Sequence, residues 1–268
     1  MTQVLNLLPP DGRRVPVIVS CPHVGTEIPI DIACAMDPAL VNGVPDTDWF
    51  VHELYGFAPK MGITLVHAGF SRYVVDLNRD PAGTKLYSDG RPETSLVPVH
   101  SFGGKPLYRD AHPDAQEIAR RKQCYFDPYH VALAALVAEM RKEFEHVLFF
   151  DAHSIPRRVP RIRPEPFADV IVGDQKGKTA HQSLSQAALS SLESAGLNVA
   201  YNDPFMGGFL TRSIGRPDTG IHALQLEMSQ DLYMNESKAA RDGKKQKTVQ
   251  AHLESLFDDL INALGKIS

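Results

Sequence analysis

Two histidines stand just beyond apolar, β-branched runs: His23 after 15-VPVIVSC-21, and His153 in 147-VLFFDAHS-154. A strand buried in a core does not need to end on a carboxylate and an imidazole. Other polar groups occupy comparable places. Asn78 and Arg79 follow 73-YVVDL-77, Asn202 and Asp203 follow 197-LNVAY-201, and Glu227 comes late in 221-IHALQLEM-228. Ligands of open α/β sheets gather beyond the carboxyl ends of the strands, so these residues are expected along one edge. Two imidazoles and one carboxylate from separate segments form the three-ligand pattern of catalytic zinc, with a fourth position open to water. Such donors suit zinc and other borderline divalent ions, and His23 and His153 are the nitrogen donors. The acid is open between Glu27 and the two acids of 46-DTDW-49. Asp46 is expected to cap a helix, whereas Asp48, two residues into it, could turn toward a metal.

Each of these residues also has a structural use. A histidine after a strand can be a hydrogen-bonded core residue, and Asp46 and Asp48 can answer a helix macrodipole. Glu227 can be a paired acid and Arg79 can offset Asp76 or Asp80. The coincidence of five such features at strand ends is what favours a site. Rival chemistries are weaker. The glycines of 205-FMGGFLTRSIG-215 and 101-SFGGK-105 match neither GxGxxG nor a P-loop, and read as turn residues. No GxSxG elbow exists, and Ser154 beside His153 has the wrong spacing for a Ser–His pair. Cys21, two residues from His23, leaves only a weak Cys–His alternative.

The elements that must position these residues follow from periodicity. Segments 15–21, 63–69, 73–77, 146–153, 167–174, 197–203 and 221–228 are short, β-branched or aromatic, and bounded by turn residues. Helical spacing is expected in 46–62, with Asp46 as N-cap, in 127–145, in 179–196, and in 244–267, where Gly265 is the stop. This alternation predicts an α/β fold: a three-layer sandwich with a central mixed, mainly parallel sheet flanked by helices. Residues from about 80 to 114 are rich in Pro, Gly and Ser and have little periodicity, which suits a lid, a binding loop or a disordered segment. With no repeat or low-complexity linker, one domain over 1–268 is expected.

The 268 residues are 43% hydrophobic, enough for one large core. A formal net charge of −4 gives no electrostatic case for nucleic acid or an anionic membrane. The basic run 157-RRVPRIR-163 is broken by proline and read as a solvated loop. No apolar run approaches the roughly 18 residues that cross a bilayer, and the first residues lack the pattern of a signal peptide. Three cysteines without a CxxC pair suit a reducing compartment, so a cytoplasmic location is expected. The oligomeric state is open.

The blocks PHVGT (22–26), DTDWFVHELY (46–55), SRYVVDLNR (71–79), DAHSIP (151–156), GGFLTRSIGRP (207–217) and HALQLEM (222–228) together resemble the N-formylglutamate amidohydrolase family. The resemblance spans about residues 14–260, and that family is similar in fold and site to zinc carboxypeptidases and aspartoacylase. It implies hydrolysis of N-formyl-L-glutamate to formate and L-glutamate, in histidine degradation, with Zn2+ or another divalent metal as cofactor. It implies His23, Asp48 and His153 as metal ligands, Asp48 being preferred to Asp46. The HxxE pair of the carboxypeptidases is absent, since residue 26 is Thr26 and Glu27 is a poor substitute. Glu227 falls on the catalytic carboxylate, Arg72 or Arg79 is the oxyanion stabiliser, and Asn78 and Arg79 match a substrate-anchoring pair. Arg212 is a further candidate anchor, and Asp151 a partner that orients a histidine ligand. The small-molecule partner is thus an N-acyl amino acid. Another N-formyl or N-acetyl amino acid, such as an aspartate, is the nearer alternative, and a non-catalytic metal-binding protein the more distant one.

Overall fold

Strand 147–155 is buried along its whole length, which requires cover on both faces of its sheet. The computed structural model describes residues 2–86 and 93–267. Its main sheet has seven strands: β1 (Leu5–Leu8), β2 (Val17–Cys21), β3 (Thr64–Ala68), β4 (Val147–Ile155), β5 (Val170–Gly173), β6 (Val199–Tyr201) and β7 (Ile221–Ser229). Their spatial order is β1-β3-β2-β4-β7-β5-β6. The central β3, β2, β4 and β7 are parallel, β1 runs antiparallel to β3, and β5 runs antiparallel to β7 with β6 parallel to it. The expected three-layer α/β fold is present.

Side chains alternate across a strand, so register decides what shares a face. Phe149, Asp151 and His153 of β4 pair with Ala223, Gln225 and Glu227 of β7, and Ile18 and Ser20 of β2 pair with Phe149 and Asp151. Toward the amino ends this face is apolar and is covered by the helix Asp127–Glu143 through Tyr129, Leu133, Val137 and Met140. Toward the carboxyl ends the same face becomes polar. The opposite face carries Leu148, Phe150, Ala152, Leu224, Leu226 and Met228, under the helices Gln182–Ser194 and Gly243–Leu264. The last helix buries Val249, Leu253, Leu256, Phe257, Leu260 and Leu264, a stripe at helical spacing, and Gly265 follows its end as expected.

Three expectations are corrected. Segment 73–77 is a run of turns, because its apolar side chains are divided between two cores: Tyr73 and Val74 enter one cluster, Val75 and Leu77 another. The helix expected over 46–62 shrinks to Val51–Leu54 and a 3₁₀ turn at Ala58–Met61. Asp46 caps neither, since its carboxylate accepts the Phe102 N–H at 2.8 Å, and Phe50 takes a left-handed φ of 62° just before the short helix. The loop 157–163 is not simply solvated, because Val159 is buried and Arg157 donates through Nε and Nη2 to Asp231 and through Nη2 to Asp169. Strand β1 and the helix Ala115–Arg121 were not expected. Among the described residues no helix is long and apolar enough to cross a membrane.

Two histidines outside the sheet edge tie stability to pH. His130 donates from Nε2 to the Leu77 carbonyl at 2.9 Å against the Phe126 ring, and His222 accepts the His181 N–H on Nδ1 at 3.2 Å. Burial lowers both pKa values to about 4, against an unfolded value of about 6.5. Above pH 6.5 both states are neutral at these sites and nothing changes. Between about 6.5 and 4 the unfolded chain takes up protons that the folded chain refuses, so stability falls as pH falls, and the loss levels off below about 4. Together the two sites should remove about 3–6 kcal/mol across this window. Denaturant unfolding at stepped pH should show this slope, and His130→Gln should make it shallower; equal slopes would contradict the assignment to His130.

Candidate active site

The carboxyl ends of β2, β4 and β7 open into a pocket of about 470 Å³ lined by His23, Asp48, Arg72, Asn78, Arg79, His153 and Glu227, among others. His23 reaches it two residues beyond β2. The turn after it depends on Gly25, where a Cβ would collide with the Phe70 carbonyl. Asp48 is fixed by its backbone N–H, which donates to the His23 carbonyl at 3.0 Å. His153 comes from β4 itself, one strand from Glu227 and in register with it. One ligand atom from each of His23, Asp48 and His153 lies within 4.8 Å of the others.

The two imidazoles are oriented alike. His23 Nε2 meets Asp76 Oδ1 at 2.7 Å and His153 Nε2 meets Asp151 Oδ1 at 2.9 Å. With Nε2–H donating to a carboxylate, each ring turns Nδ1 inward: His153 Nδ1 lies 3.0 Å, and His23 Nδ1 3.8 Å, from the same atom, Asp48 Oδ2. Carboxylates behind histidines fix their tautomer and raise their basicity as ligands. Behind these carboxylates stand further partners. Arg72 Nη2 donates to Asp76 Oδ2 at 2.8 Å, while Thr211 Oγ1 at 3.0 Å and Asn78 Nδ2 at 3.1 Å donate to Asp151 Oδ2.

Electrostatics follow from burial and these contacts. Burial would raise the Asp76 pKa, but Arg72, His23 and Arg79 hold it well below the usual carboxylate range. Burial lowers that of His23, Arg72 adds to the effect, and Asp76 opposes it. For His153 burial also acts downward, yet the Asp151 and Asp48 carboxylates together hold it well above the ordinary imidazole value. Burial pushes Glu227 up to about 8, with the charges of Asp48 and Asp151 adding to the rise and His153 and Arg72 opposing it. The Cys21 thiol is also pushed well up, by burial first and then by Asp48 and Asp151, so it is no thiolate nucleophile for His23.

A two-imidazole, one-carboxylate set with second nitrogens held from behind fits a divalent metal of the zinc type. The expected residues are distributed as follows. Asp46 serves the Phe102 backbone and Glu27 is exposed, so Asp48 is the acid that joins the two imidazoles. Asn78 lines the pocket, but both ends of its amide serve the protein: Nδ2 lies 2.8 Å from His153 Nε2 and donates to Asp151 Oδ2 at 3.1 Å, and Oδ1 accepts the Leu210 N–H at 2.7 Å. Arg79 donates from Nε to the Thr94 carbonyl and to Thr94 Oγ1, both at 3.0 Å. Arg212 donates to the carbonyls of Gly207 and Leu86 and is not among the lining residues. Asn202 and Asp203 follow a strand that runs the opposite way, and Asn202 Nδ2 donates to Asp174 Oδ1 at 2.9 Å instead. Of the stretch 80–114 expected as a lid or binding loop, 87–92 lie outside the described residues, while Leu86, Glu93, Thr94, Ser95, Val99, Phe102 and Gly104 are among those that line the wall. Asp76, Thr211, Phe102 and Arg161 were not foreseen. Asp76 sat in the quoted SRYVVDLNR block, but its contact with His23 spans 53 residues and leaves no local signal.

The family model of N-formylglutamate amidohydrolase matches residues 15–234, most of the chain and all of the pocket's strands. The chain belongs to the N-formylglutamate amidohydrolase family. It is 38% identical over 230 residues to an N-formylglutamate deformylase of Pseudomonas aeruginosa, covering 83% of this chain and 84% of that protein. It is 34% identical over 230 residues to an N-formylglutamate deformylase of Pseudomonas putida, covering 84% of each. Its fold is similar to the crystal structure of N-formylglutamate amidohydrolase from Ralstonia eutropha JMP134, with a TM-score of 0.81 and 29% identity over 97% of this chain and 96% of that one. In this member of the N-formylglutamate amidohydrolase family, the clustered His23, Asp48 and His153 lie inside the matched region.

Proposed function

We propose that this chain, acting as one catalytic domain, hydrolyses N-formyl-L-glutamate to formate and L-glutamate, with zinc held by His23, Asp48 and His153. The observation that carries this reading is the convergence of these three ligand atoms within 4.8 Å, beside Glu227, in a chain of this family. When bound, the metal polarises the formyl oxygen and makes water more acidic.

The chain's own groups do the rest. Asp76 and Asp151 hold the two imidazoles in the Nδ1-inward tautomer. Glu227 takes a proton from the attacking water and delivers it to the departing amine nitrogen. Its pKa of about 8 without a cation falls when positive charge is held at the neighbouring triad, which favours the carboxylate needed for that step. Arg72 is a guanidinium buried at the pocket wall, fixed by Asp76 and by the Phe102 ring 4.7 Å away, and it stabilises the oxyanion of the tetrahedral intermediate. Arg79 binds the carboxylate nearest the scissile amide as a planar fork, while Asn78 supports it by positioning Asp151.

Purified protein should release formate from N-formyl-L-glutamate, and N-acetyl-L-glutamate should react more slowly. Folded protein that releases formate from no N-formyl amino acid would sink the assignment.

A further inference from the structure

We infer that Arg161 selects a second carboxylate, the one farther from the scissile amide. This rests on the proposed function and deepens it, because it names the residue that reads the substrate's side-chain carboxylate. Among the described residues three arginines line the pocket: Arg72, Arg79 and Arg161. Arg72 is tied to Asp76, and Arg79 to Thr94 and the Asn78 carbonyl. Arg161 is exposed at the rim and makes no hydrogen bond or ion pair among the described residues.

Its position is nevertheless built. Its loop is clamped by Arg157 on Asp231 and Asp169, anchored by buried Val159, and turned by the Ile162 N–H on the Val159 carbonyl at 2.9 Å. The guanidinium lies against Gly104, at the tip of the turn that bears Phe102. Gly104 has a φ of 83°, and a Cβ there would overlap Arg161 Nη1. That turn is itself tied to the site through Phe102 N–H on Asp46. An arginine that served only to be solvated has no reason to lie on the wall of the pocket. A guanidinium fork without a partner among the described residues, on a fixed stem, can bind a carboxylate in bidentate fashion. A diacid offers two carboxylates. The more buried Arg79 takes the inner one, and Arg161 at the rim takes the outer.

The test compares kcat/KM for N-formyl-L-glutamate and its neutral isostere N-formyl-L-glutamine in the unaltered protein, Arg161→Ala and Arg161→Lys, together with calorimetric binding of glutarate. The unaltered protein should prefer the glutamate substrate by about 10- to 100-fold. Arg161→Ala should abolish that preference through KM and leave the glutamine substrate within about twofold, with Arg161→Lys intermediate. No preference in the unaltered protein, or an alanine variant that weakens both substrates alike or neither, would overturn the inference. If the unaltered protein turns over neither substrate, the hydrolase reading fails and glutarate decides on its own. Binding weakened about tenfold by Arg161→Ala would support the carboxylate site, whereas unchanged binding, or none in the unaltered protein, would overturn it.

Discussion

Glu227→Gln should retain the metal content of the unaltered protein and lose about 10²- to 10⁴-fold in kcat on N-formyl-L-glutamate. The substitution keeps shape and hydrogen-bonding reach but removes the group's ability to take a proton. Glu227 faces His153 across adjacent strands, yet it is not one of the three clustered donors, so binding and turnover should separate. The loss should fall in kcat rather than KM, as expected for an interaction used in the transition state. A variant with a rate close to that of the unaltered protein would remove Glu227 from the chemistry. One that lost its metal as well would move Glu227 into the ligand set.

His153→Ala should weaken zinc binding more than about a hundredfold and abolish turnover at matched total zinc. In the metal-free protein His153 also ties two carboxylates together: Asp151 and Asp48 meet its ring nitrogens at 2.9 and 3.0 Å and raise its pKa. Removing it leaves two buried carboxylates short of a partner, which destabilises the fold as well. Metal content must therefore be read on protein shown to be folded, by circular dichroism and gel filtration. Full zinc occupancy in a folded alanine variant would make His153 a structural histidine and leave the metal without its second imidazole.

The strands that carry the site were legible because their apolar runs are short, β-branched and followed by polar residues. His23, His153 and Glu227 came directly from that pattern, and the resemblance of the surrounding blocks selected Asp48 over Asp46. What lay outside the local pattern was set by contacts distant in the chain. Asp46 looked like a helix cap, yet its partner is the backbone of Phe102, 56 residues away. Residues 73–77 have the composition of a strand, but their backbone turns so that alternate pairs of side chains fill two different clusters. The reversed direction of β5 and β6 carries no signature in their sequences, and it is why Asn202 and Asp203 miss the pocket. Charge alone does not place the basic run 157–163. Its place on the pocket wall depends on Asp169, 12 residues from Arg157, and on Asp231, 74 residues from it.

The most direct test of the central claim is formate release from N-formyl-L-glutamate by one preparation, followed before chelation, after chelation and after zinc is restored. The account predicts that release is lost with the metal and returns with about one zinc per chain. Release that persists in folded protein stripped of metal would contradict it, and would leave His23, Asp48 and His153 as a buried hydrogen-bonded cluster rather than a metal centre.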